Sequence, residues 1–88
     1  MKHMIIKVTG LVQGVYFRAS AKEMADELGI KGFVRNEPDN SVYIEAEAEE
    51  NALAIFIEWC QHGPPSAQID KLQIETADLK EYTGFAIE

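Results

Sequence analysis

Two stretches of helical periodicity set among strand-like alternations, in the order strand, helix, strand, strand, helix, strand, predict an α+β fold. Turn chemistry at Pro38-Asp39-Asn40 makes the second and third strands a hairpin. A length of 88 residues, 47% hydrophobic and 26% charged, suits one small core. No linker, repeat or low-complexity tract interrupts it, so residues 1–88 are expected to form one domain. Together these features predict the ferredoxin-like split βαβ sandwich (βαββαβ), an antiparallel sheet with two helices on one face and a short C-terminal edge strand.

The elements follow from local pattern. Met4, Ile6 and Val8 alternate with Ile5, Lys7 and Thr9, the period of a strand with one face on a core. Ala21, Met24, Ala25 and Leu28 then recur at helical spacing, and Gly29 stands where a left-handed cap residue is needed. Ile30 to Asn36 is short and rich in strand formers, and Val42, Ile44 and Ala46 alternate against Tyr43, Glu45 and Glu47. Glu49 and Glu50 suit a helix N-terminus, Leu53, Phe56, Ile57 and Cys60 form an apolar stripe, and Gly63-Pro64-Pro65 ends the helix. Ala67 to Glu75 reads as a fourth strand with Ile69 out of phase with Leu72 and Ile74, which predicts a bend or bulge. After an irregular connection from Ala77 to Gly84, Phe85 and Ile87 alternate as the closing strand.

Charge and composition narrow the function. A net charge of −7 opposes binding to nucleic acid, which requires basic side chains to displace counterions. No apolar run approaches the ~20 residues of a membrane span or has signal-peptide character, so a cytoplasmic protein without membrane partners is expected. Cys60 is the sole cysteine, which excludes an internal disulfide and a CxxC pair and agrees with a reducing compartment.

The most informative stretch is Gly10-Leu11-Val12-Gln13-Gly14-Val15-Tyr16-Phe17-Arg18, which joins the first strand to the first helix. Two glycines in such a connection let successive N–H groups converge, and the helix N-terminus adds about half a positive charge. Arg18, one of only two arginines, would add a planar fork matched to two phosphate oxygens. A Walker loop is excluded because no lysine follows Gly14, and a dinucleotide fingerprint lacks its third glycine. On spacing alone, an anion cradle and an ordinary tight connection are equally good readings.

The nine-residue string resembles the signature of the acylphosphatases, hydrolases of carboxyl-phosphate mixed anhydrides. Gly32-Phe33-Val34-Arg35-Asn36 with Pro38-Asp39-Asn40-Ser41-Val42 is similar to that family's second motif, and Trp59-Cys60 with Gly63-Pro64-Pro65-Ser66-Ala67 resembles its segment after the second helix. The chain departs from the pattern at Leu11, where a basic residue is common, and at Asn40, where glycine is usual. The resemblance implies that Arg18 and the backbone amides of Gln13, Gly14, Val15, Tyr16, Phe17 and Arg18 bind the substrate phosphate, and that Asn36 holds the attacking water. It further implies a small acyl phosphate as substrate, with no metal, organic cofactor or covalent intermediate, and a monomer is expected.

Other candidates have plainer explanations. Asn36 would otherwise be a strand-end residue in a local turn contact. Arg35 neighbours Asn36 on a strand and is expected on the opposite face. Cys60 lies on the apolar stripe and reads as a buried thiol rather than a nucleophile. His3 and His62 lie at a chain end and a helix end without a third metal ligand at suitable spacing. Tyr16 and Phe17 are expected in the core, and Glu45, Glu47, Glu49 and Glu50 on a solvated face. Two rival functions remain: a non-enzymatic anion-binding or protein-interaction module, and an RNA-binding domain stacking bases on Phe33 and Tyr43.

Overall fold

The first strand, β1 (Lys2–Leu11), is followed by α1 (Phe17–Leu28), β2 (Lys31–Asn36), β3 (Val42–Ala48), α2 (Glu50–Cys60), β4 (Gln68–Ala77) and β5 (Phe85–Ile87) in a computed structural model describing residues 1–88. One five-stranded sheet has the order β4-β1-β3-β2-β5. Ile6 and Val8 of β1, Val34 of β2, and Val42, Ile44 and Ala46 of β3 project to one face. There they meet Phe17, Ala21 and Ala25 of α1 and Leu53, Phe56 and Cys60 of α2, and all are buried. Alternation therefore selects the covered face, and the helical stripes cover it.

The sheet is mixed rather than antiparallel throughout. β1 pairs antiparallel with β3 and β4, and β2 with β3, whereas β5 runs parallel to β2. Residues 78–84 return from β4, at one edge, along the face away from the helices, so the chain enters the other edge in the direction of β2. Periodicity identifies β5 as a strand but carries no information on this crossing.

The phase break in β4 is a bulge. Thr9 pairs with Lys71 and Gly10 with Ile69, which leaves Asp70 as the extra residue. In the β2–β3 turn Asn40 takes φ 72°, and its N–H donates to the Glu37 carbonyl at 3.1 Å. The Asp39 carboxylate accepts from the Ser41 N–H at 3.0 Å and lies 2.8 Å from Lys7 Nζ. The hydrogen bonds from Lys7 and Ser41 hold its pKa well below the usual carboxylate range.

The face away from the helices is not the solvated acidic face expected from alternation. Glu47 is 2% exposed and His3, despite its place near the chain start, is 1% exposed. His3 Nε2 lies 2.8 Å from Glu45 Oε1, and Nδ1 lies 3.1 Å from Glu47 Oε2 but off the hydrogen-bond direction. Glu45 also accepts from the hydroxyls of Tyr43 at 2.7 Å and Tyr82 at 2.9 Å. Glu47 accepts from the N–H groups of Lys80, Glu81 and Tyr82. The returning segment thus covers part of this face, and its orphan amides satisfy the carboxylate that alternation placed beneath it. Glu49 and Glu50 are exposed at the start of α2.

Candidate active site

Gly10 belongs to β1 rather than to the connection after it. Its φ is +129°, and a Cβ there would lie 2.2 Å from the Gln68 carbonyl oxygen, so glycine permits the close approach of β4. The connection itself is Val12 to Tyr16. Val12, Val15 and Phe17 send side chains into the core, while Gly14 (φ 75°) and Tyr16 (φ 66°) take left-handed backbone conformations between them. α1 begins with no side-chain cap and no acidic residue in its first turn.

The consequence lies in the main chain. None of the N–H groups from Gln13 to Arg18 donates to a protein acceptor, and the first helical amide with a partner is that of Ser20, which donates to the Tyr16 carbonyl at 3.0 Å. Six successive donors at a helix start, with positive macrodipole and no capping acid, form a site suited to an oxyanion.

Arg18 stands beside them. Its guanidinium pairs with no side-chain carboxylate, and Nη1 donates only to the main-chain oxygen of Glu88 at 3.3 Å. Arg35 is placed differently: Nε bonds Glu37 at 3.2 Å, and the guanidinium lies over Tyr43 at 4.5 Å and Phe33 at 5.4 Å on the opposite face of the sheet. Of the two arginines only Arg18 reaches the cleft, a hollow of about 360 Å³ whose wall also includes Gly14, Phe17 and Asn36. Asn36, the last residue of β2, has a buried Oδ1 with no hydrogen-bond partner in the protein. Arg18, Asn36 and part of the amide loop therefore share one cavity.

Gln13 does more than its predicted main-chain role. Its Nε2 donates to the carbonyls of Glu37 and Ser41, both at 2.9 Å, and so ties the amide loop to the hairpin just beyond Asn36. The motif contains the residue, but the carbonyls it reaches lie 24 and 28 positions away, beyond any local pattern.

A sequence profile of the acylphosphatase family matches residues 4–87. The chain belongs to the acylphosphatase family. It is 43% identical to an acylphosphatase of Methylococcus capsulatus over 88 residues, covering 99% of this chain and 96% of that protein. It is 42% identical to one of Thermotoga maritima, with 99% and 97% covered. The crystal structure of acylphosphatase from Bacillus subtilis superposes with a TM-score of 0.98 at 35% identity, covering 100% of this chain and 99% of that one.

As a family member the chain also clarifies the remaining candidates. Tyr16 is not in the core: it is 81% exposed at the cleft, because a left-handed residue at the helix start turns its side chain out while Phe17 turns in. Cys60 is fully buried under α2, and burial pushes its thiol pKa up, away from the reactive thiolate. His62 lies on the surface 3.3 Å from Glu58, one helical turn earlier. Leu11, which replaces a common basic residue of the acylphosphatase signature, is 53% exposed. No helix is long and apolar enough to cross a membrane.

Proposed function

We propose that the chain hydrolyses acyl phosphates to a carboxylate and inorganic phosphate, with Arg18 and the amides from Gln13 to Arg18 holding the phosphoryl group and Asn36 holding the attacking water. The observation that carries this reading is that one cleft is lined by a guanidinium paired with no side-chain carboxylate, by part of a loop whose amides have no protein acceptor, and by a buried carboxamide oxygen without a partner. The Asn36 amide can accept a hydrogen bond from the attacking water through Oδ1, and being neutral it does not repel the substrate. Water attacks phosphorus in line with the acyl oxygen. The new P–O bond forms as the bond to that oxygen breaks, the electron pair leaves on the carboxylate, and the protons of water end on the product phosphate. A carboxylate is a stable anion, so departure needs no strong general acid. Placement of water and neutralisation of phosphoryl charge suffice.

Residues 1–88 are taken as one domain acting as a cytoplasmic monomer. The RNA-binding alternative is disfavoured by the rings it needs. Phe33 is 8% exposed, stacked on Tyr43 at 5.9 Å and edge-on to Tyr82 at 5.9 Å, so it offers no free face to a base. The deciding experiment is benzoyl phosphate hydrolysis by the purified chain, with inorganic phosphate as competitor. Turnover reduced by about 10²–10³ in Arg18→Ala is expected; a chain that binds phosphate but never turns over substrate would be a binding module instead.

A further inference from the structure

Part of the cleft is left over once the phosphoryl group is placed. At about 360 Å³ it exceeds what a phosphoryl group and one water fill, which is on the order of three water volumes or ~90 Å³. The remaining wall is apolar and comes from separate elements: Val12 after β1, Tyr16 at the start of α1 and Ile87 on β5. Two of these side chains are large, apolar and in water, Tyr16 at 81% and Ile87 at 45% exposure. Tyr16 also bears a left-handed backbone, φ 66°, which most residues other than glycine adopt only at a cost. An exposed ring on a strained residue at the edge of an oxyanion cradle has no role in packing the fold.

Charge limits what this wall accepts. Arg18 is the only basic residue lining the cleft, and it is committed to the phosphoryl group in the proposed function. A second anionic group on the substrate would find no partner there, in a protein of net charge −7.

Resting on the acyl phosphatase reading of the cleft, we infer that Tyr16 and Ile87 form the acyl subsite, and that this subsite selects neutral acyl groups with an aromatic or bulky apolar body over acetyl and over acyl groups bearing a second anion. The Tyr16 ring lies against the acyl body, and β5 supplies the facing methyl groups.

The test compares kcat/KM for benzoyl phosphate, acetyl phosphate and a benzoyl phosphate carrying a para carboxylate, in the unmodified chain, Tyr16→Gly, Tyr16→Phe and Ile87→Ala. Glycine accepts the left-handed backbone, and the benzoyl-to-acetyl ratio cancels any general loss from a disturbed loop. That ratio should fall about three- to tenfold in Tyr16→Gly and Ile87→Ala and hold in Tyr16→Phe, and the unmodified chain should disfavour the carboxylated substrate. An unchanged ratio in both truncations, or equal use of the charged and uncharged benzoyl substrates, overturns the subsite. Absence of turnover on every substrate, or full activity in Arg18→Ala, instead overturns the catalytic reading, so the two failures are distinct.

Discussion

Arg18 and Arg35 are chemically identical, and only their surroundings separate a binding group from a structural one. Arg35 is occupied by Glu37 and two aromatic faces, while Arg18 keeps nearly its whole fork free. Arg18→Ala is expected to reduce kcat by about 10²–10³, the usual loss when one donor to a developing oxyanion is removed. Arg18→Lys should recover little of it, since a point charge does not reproduce two parallel donors. More than half the activity in either variant would contradict the assignment. Asn36→Ala is expected to behave differently because its partner is water: turnover collapses while competitive inhibition by inorganic phosphate stays nearly constant. Equal losses in both would make Asn36 a phosphate ligand. The one-residue offset between Arg35 and Asn36 makes their opposite placement on β2 legible in the sequence, because neighbours on a strand face opposite ways. Tyr16 was not legible. An aromatic in a motif between two buried positions reads as core, and only the local φ shows that the chain has turned it outward.

At the level of elements, the site depends on β1 stopping where it does and on the β2–β3 hairpin being held against the loop. Helices, hairpin and the β4 bulge all follow from periodicity and turn residues. The parallel pairing of β5 does not, since it is decided by a crossing between distant segments. Gly10 shows the same limit, for it reads as loop flexibility yet serves strand packing. Gly10→Ala should destabilise by about 3 kcal/mol, because the new Cβ has backbone on two sides, Gln68 O at 2.2 Å and Asp70 N at 2.8 Å. For a chain of this size that is a fall in Tm on the order of 15 °C by thermal denaturation. Gln13→Leu removes the donor shared by the Glu37 and Ser41 carbonyls, for a loss of about 1–3 kcal/mol. Because that donor ties the cradle to the strand end bearing Asn36, kcat should fall more than phosphate affinity. A variant with reduced stability and unaltered kcat would show that the tie is structural only.

Across the whole molecule, the polar cluster beneath the sheet links stability to pH. Burial alone would raise the pKa values of Glu45 and Glu47. Tyr43, Tyr82 and His3 hydrogen-bond to Glu45, and the N–H groups of Lys80, Tyr82 and Glu81 to Glu47, and these outweigh burial, so both carboxyls titrate below their ordinary value of 4.5. A carboxyl with a lowered folded pKa favours the native state at every pH above its unfolded value, and the contribution disappears as pH falls through the folded value. Acid should therefore loosen the 78–84 segment, and with it β5, whose following residue meets Arg18. At the alkaline end Tyr43 and Tyr82 are pushed up to about 12, first by burial and then by Glu45, so their contribution is complete below pH 10 and lost as pH rises toward 12. Glu47→Gln tests the acid limb. The amide keeps the shape but loses the charge and turns donors toward donors, so the variant should be clearly less stable than the unmodified chain in urea at pH 7. Below pH 4.5 the gap should narrow as the native carboxylate itself protonates. A gap of the same size at pH 7 and pH 3 would mean that the charge of Glu47 contributes nothing and that its shape alone holds the returning segment in place.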